Sequence, residues 1–123
     1  MKHRLVLLTA LGLLALAAAL PALASAGQVY KTTTSMRVTA TKVEGKLSSD
    51  KAACLKNREL ALRIFVVGGT PGSPFSLRTD ASGRWSTPLE IPGSARGQIE
   101  VRVVEKRIGG GKTCGETEER ASF

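Results

Sequence analysis

Apolar residues recur along this chain in two patterns. Leu5 to Leu20 is an almost unbroken apolar run without a charge, preceded by Lys2, His3 and Arg4 and broken by Pro21. From Met36 onward the apolar positions alternate with polar ones instead. The first pattern, with its basic start and the small residues of Ala24-Ser25-Ala26, predicts a helical secretory signal peptide over residues 1–26, cut between Ala26 and Gly27. The competing reading is an anchor that is kept, since the run is close to the shortest length that spans a bilayer. No Cys stands at the end of the run, so a lipoprotein anchor has no attachment point. Once cut, the chain has no stable membrane insertion.

The second pattern has the period of β-structure, in which alternate residues face opposite sides. Residues 27–35 are polar and Thr-rich and read as a disordered lead-in to a β-domain over 36–123. Met36, Val38 and Ala40 alternate with Arg37, Thr39 and Thr41, which predicts one strand running to about Leu47 with Gly45 a candidate bulge. Ser48-Ser49-Asp50 is a turn, and Lys51 to Arg58 is either a short helical turn or a loop. Leu60, Leu62, Ile64 and Val66 form one face of a strong strand whose other face is also rather apolar, as expected of a central strand. Gly68 to Pro74 is a Gly/Pro loop. Phe75, Leu77 and Thr79 lead into a turn at Asp80-Ala81-Ser82-Gly83, where Asp bonds forward to its own backbone and Gly tolerates positive φ. Trp85 returns from that turn, and Pro88 and Pro92 confine the next piece to a short edge segment. Gln98 to Arg107 is a second strong strand, with Ile99, Val101 and Val103 on one face and Glu100, Arg102 and Val104 on the other; Gly109-Gly110-Gly111 is a flexible loop, and Gly115 to Phe123 a weak final strand. Short strands separated by Gly/Pro turns indicate an all-β sandwich or barrel, with Trp85 as the large filler between layers.

Charge and cysteine content narrow the class. After the leader, 97 residues remain, with 16 Lys and Arg against 10 Asp and Glu, a net of +6. One domain of that size favours anionic neighbours, such as a cell-wall polymer or an acidic secreted protein. No window holds the consecutive basic residues of a nucleic-acid arm, and the aromatic residues are not interleaved with basic ones, so nucleic acid is not the expected partner. Cys54 and Cys114 are the only cysteines. In an oxidising compartment they have one intramolecular pairing, which closes a loop of about 60 residues and is worth roughly 4 kcal/mol in chain entropy. A zinc site needs about four ligands at short spacings, and no His follows position 3.

Thr79-Asp80-x-x-Gly83-x-Trp85, followed by Pro92-Gly93 and a valine-rich strand, resembles carboxypeptidase regulatory-like domains, which belong with the transthyretin-like and Cna B-type immunoglobulin-like sandwiches. Gly45-Lys46-Leu47 through Cys54, Arg58 and Leu62, ending at Cys114, is similar to small secreted bacterial versions. The resemblance runs from about Val38 to Cys114. It implies a prealbumin-like antiparallel sandwich of about seven strands, with the two cysteines joining the start of the second strand to the region near the last. The family commonly carries an aromatic residue shortly after the Pro-Gly turn, where this chain has Ala95-Arg96-Gly97. Domains of this group are mostly non-catalytic companions or surface modules.

Catalytic chemistry has little to work with. The exported chain has no His to act as general base, and the transthyretin-like hydrolases depend on histidines. Ser73, Ser76, Ser82 and Ser86 fall where turns or strands want small polar residues. Asp50, Glu59, Asp80 and Glu90 could serve a glycosidase only if the fold brings two together. Gly109-Gly110-Gly111-Lys112-Thr113 lacks the earlier Gly and the following helix of a phosphate loop. Asp80-x-x-Gly83 supplies one carboxylate where calcium needs six to eight oxygens. No cofactor or metal is expected. The sequence therefore predicts a secreted, non-catalytic binding or structural module, whose Gly-Pro loop at 68–74 or Gly-rich loop at 109–113 meets a partner. The alternatives are a hydrolase inhibitor that plugs a cleft with the 68–74 loop, and a hydrolase without histidine.

Overall fold

Alternation becomes sheet from the first residues that can be placed. The computed structural model describes residues 27–70 and 72–123, so the leader predicted over 1–26, with Ala26 of its cleavage site, and Pro71 lie outside the described residues. The strands are β1 (Gln28–Tyr30), β2 (Thr32–Thr34), β3 (Arg37–Val38), β4 (Lys42–Ser49), β5 (Glu59–Val66), β6 (Phe75–Arg78), β7 (Arg84–Pro88), β8 (Gly97–Val103), β9 (Lys106–Gly109), β10 (Lys112–Cys114) and β11 (Thr117–Ser122). A 3-10 turn at Ala52–Cys54 lies between β4 and β5. The molecule is the expected all-β antiparallel sandwich.

One layer is built around β4. β2 and β3 lie end to end along one edge of it, and β7 lies along the other. The second layer has the order β11-β8-β5-β6, antiparallel throughout. With β2 and β3 taken as one interrupted strand, these layers hold seven strands. A small third sheet, β1-β10-β9, closes one end, with β1 running parallel to β10.

The core follows the period of two. Val43, Leu47 and Trp85 from the first layer meet Leu60, Leu62, Ile99, Val101 and Val103 from the second, all buried. Each fully buried aliphatic side chain contributes about 1.5–3 kcal/mol. Trp85 needs space that its neighbour leaves open. It sits directly opposite Gly45 in the β4–β7 register. A Cβ on Gly45 would lie 2.5 Å from Trp85 Cζ2 and would also strike the Ser35 carbonyl. Gly45 is thus the floor under the indole, not a bulge. The indole N–H donates to Thr34 Oγ1 at 3.0 Å, so the buried ring has its polar partner.

Five expectations need correction. The lead-in at 27–35 is not disordered: it forms β1 and β2, with Thr32 and Thr34 buried because their hydroxyls meet buried donors. The single strand Met36–Leu47 is a hairpin of β3 and β4, because the Thr39 hydroxyl accepts from the Lys42 N–H at 3.1 Å and folds the chain back. The strand Gln98–Arg107 ends at Val103. The Val104 N–H makes one last bond across to the Glu59 carbonyl at 2.9 Å, but the Val104 carbonyl accepts from Arg58 Nη2 at 2.9 Å in place of a ladder partner, and β9 starts at Lys106. The triple glycine is a tight hairpin turn, with Gly110 at φ 61° and Gly111 at φ 71°, the conformation of a two-residue hairpin loop. The weak final strand is complete: β11 pairs with β8 from Thr117↔Val103 to Ser122↔Gln98.

Gly45→Ala is expected to lower the unfolding free energy by about 1–3 kcal/mol through overpacking. Urea denaturation measures it, and an unchanged midpoint would contradict the role given to Gly45.

Candidate functional site

The sequence-predicted residues fall into three places. Cys54 and Cys114 are bonded, with Cα atoms 5.4 Å apart, and both are fully buried. Thr79, Asp80, Gly83 and Trp85 lie together at the β6–β7 turn. Pro92 and Gly93 lie in a separate turn closed by the Ala95 N–H donating to the Pro92 carbonyl at 2.9 Å. Gly93 has open space where a Cβ would be and no positive φ, so nothing steric requires a glycine there.

Each residue of the β6–β7 turn has a definite task. Asp80 Oδ1 accepts from the Ser82 hydroxyl at 2.8 Å and from the Ser82 and Arg84 backbone N–H groups at 2.9 Å. These bonds, the Ser82 hydroxyl foremost, hold the Asp80 carboxyl below its ordinary pKa. The carboxylate is thus engaged in its own turn. Gly83, at φ 86°, is pressed against Leu47 and Leu55, where an added Cβ would come within 3.3 Å of both. Thr79 is buried. Its hydroxyl donates to the Leu55 carbonyl at 2.6 Å and accepts from the Arg58 N–H at 2.8 Å, tying the end of β6 to the start of β5.

Arg58, named above only within the resemblance and at the end of an ambiguous segment, has a role that no sequence pattern assigned. Its side chain is fully buried. Nη1 donates to Thr32 Oγ1 at 3.0 Å and to the Cys54 carbonyl at 2.8 Å. Nη2 donates to the carbonyls of Val104 at 2.9 Å and Gly115 at 2.8 Å. Only its Nε lacks a partner. Burial lowers its pKa, yet guanidinium keeps its proton in proteins. One charged fork thus joins β2, the 3-10 turn and the chain on both sides of the β9–β10 hairpin, next to the disulfide. The preceding Asn57, at φ 50°, makes the turn into β5; Asn is among the few residues that accept this conformation.

The proposed binding loops differ from each other in chemistry. The 68–74 loop is flanked by exposed Val66, Val67 and Phe75, and positions 64–75 carry no charge. The β9–β10 hairpin carries Arg107 and Lys112.

The two outer sheet faces contrast more sharply. On the second layer every opposed charge meets its opposite: Glu59↔Arg78, Arg63↔Glu100, Glu100↔Arg120 and Arg102↔Glu118. Arg120 reaches Glu100 at 2.8 Å, and Arg102 reaches Glu116 at 3.0 Å. On the first layer Lys46 stands directly opposite Arg84, a like-charge pair that destabilises a sheet. Arg37, one strand over, stands directly opposite Glu44, whose carboxylate reaches Lys42 at 3.1 Å. Among the described residues, Arg37, Lys46 and Arg84 have no carboxylate within ion-pair distance. They line an open groove of about 490 Å³ with Ser35, Ser86 and two carboxylates, Glu44 and Asp80. Trp85 also borders it, as a buried residue.

Among the described residues no three His, Cys, Asp or Glu side chains gather, and no helix is long and apolar enough to cross a membrane. No family model matches the chain, and no curated protein matches it.

Arg58→Lys is expected to cost about 2–4 kcal/mol, because an ammonium has three donors in no fork and leaves at least one buried acceptor unmet. Chemical denaturation reads the loss, and a variant as stable as the parent would refute the role assigned to the fork.

Proposed function

We propose that this chain is an exported, non-catalytic β-sandwich module, of the carboxypeptidase regulatory-like kind, that holds an anionic polymer at the cell surface against the outer face of its first sheet. The apolar leader, the Ala24-Ser25-Ala26 site and the disulfide support export. The observation that carries the binding reading is the opposed pair Lys46↔Arg84. The second layer balances its opposed charges; the first balances Arg37 with Glu44 but sets Lys46 against Arg84, a repulsion that an anion relieves.

The charge-free 68–74 loop has nothing to offer an anionic partner. The β9–β10 hairpin carries Arg107 and Lys112 but no opposed like-charge pair, so the binding surface is assigned to the strands. The cations are exposed, so attraction is long-ranged, modest in strength and screened by salt.

Retention of the exported chain on immobilised poly(glycerol phosphate), polygalacturonate and polyglutamate tests this reading. Binding is expected at low ionic strength and is expected to be lost by about 0.3 M salt, where screening acts over only a few ångströms. Absence of binding to all three at low salt would overturn it.

A further inference from the structure

Resting on that reading, we infer that the groove between β3, β4 and β7 is a phosphate subsite, and that its ligand is a phosphodiester-linked polymer of the cell surface, not a carboxylate one. Three features of the groove carry this.

First, the cations converge. Lys46 and Arg84 are directly opposed across a strand pair, with Cβ atoms about 5 Å apart in such a register. Their side chains leave the same face from neighbouring strands, and Arg37 approaches from the opposite side of β4. A planar carboxylate satisfies one guanidinium fork in its own plane. A phosphodiester offers acceptor oxygens out of a single plane, so it can bridge the Arg84 fork and the Lys46 ammonium together.

Second, the competing acids are already engaged. Both acids of the groove have partners: Glu44 is paired with Lys42 at 3.1 Å, and Asp80, which also attracts Arg84 electrostatically, takes three hydrogen bonds on Oδ1 within its own turn. Ser86, exposed between Arg84 and Thr87, adds a hydroxyl donor on the same face.

Third, the groove is open, and among the described residues the exposed large hydrophobic side chains are Val29, Val66, Val67 and Phe75, none of which lines it. A membrane surface would need such an anchor beside the cations. A nucleic acid would need a stacking platform, and the indole of Trp85 is buried and bonded to Thr34. An extended, soluble polyphosphodiester needs neither.

The test compares the parent with Lys46→Ser, Arg84→Ser and the control Lys112→Ser on the β9–β10 hairpin. Affinity is measured for poly(glycerol phosphate), for polygalacturonate of matched charge, for a matched oligonucleotide, and for phosphatidylglycerol vesicles. The parent is expected to prefer poly(glycerol phosphate) over each of the others. Lys46→Ser and Arg84→Ser are each expected to weaken that binding by about tenfold, the loss typical of one charge-assisted hydrogen bond, while Lys112→Ser changes it less than about twofold. Both groove variants are expected to melt no lower than the parent, since each removes a like-charge contact. Equal affinity for polygalacturonate, tighter binding of the oligonucleotide or vesicle, or an equal loss in the control would overturn the phosphate subsite. The first of these would still leave the general polyanion reading standing. Failure of every polyanion to bind would remove both.

Discussion

The Arg58 guanidinium carries a full charge with no water-exposed surface, and its hydrogen-bond acceptors are three carbonyls and one hydroxyl. Taking such an ion out of water costs several kcal/mol, which only well-placed acceptors offset. The acceptors here come from four separate stretches of chain. They must arrive together, because a carbonyl left behind is buried and unmet. The disulfide lies within the same arrangement. Cys54 itself supplies one carbonyl, and Gly115, the residue after Cys114, supplies another. The covalent bond limits how far these two acceptors can part, and the guanidinium fixes their orientation. The small β1-β10-β9 sheet hangs from this pole, since its strands adjoin Thr32, Val104 and Gly115.

At the centre of the first layer a second constraint sets the register. Gly45 admits the Trp85 ring, and the ring's N–H finds Thr34 on the far side of β4. A slip of one residue would move Trp85 to the solvent face. The same register places Lys46 opposite Arg84 on the outer side of the same strands. A packing requirement inside the sandwich therefore determines a charge arrangement outside it. The proposed binding face is as rigid as the core beneath it.

Much of the sandwich was legible because burial leaves a period of two. Leu60, Leu62, Ile99, Val101 and Val103 read as inward positions and are inward. The Asp80–Gly83 turn was legible because Asp and Gly have specific backbone roles there. What escaped was polar and non-local. Thr32 and Thr34 looked like a solvated lead-in, since a hydrophobic pattern has no symbol for a hydroxyl that meets a buried guanidinium or indole. Thr39 counted as a strand former and instead closes a turn. Arg58 resembled any surface arginine. Only its four partners, brought from as far as Thr32 and Gly115, distinguish it. The groove was hidden for a related reason: Lys46 and Arg84 are 38 positions apart in the sequence, and their opposition exists only once the β4–β7 register is known.

The central claim is that the fork and the disulfide act as one unit, and a double-mutant cycle measures it most directly. Unfolding free energies in urea are compared for the parent, Arg58→Met, the paired Cys54→Ala/Cys114→Ala variant, and the combination. Shared acceptors predict a combined loss smaller than the sum of the separate losses, by about 1–3 kcal/mol. Additivity to within about 0.3–0.5 kcal/mol, the behaviour of independent sites, would contradict the account.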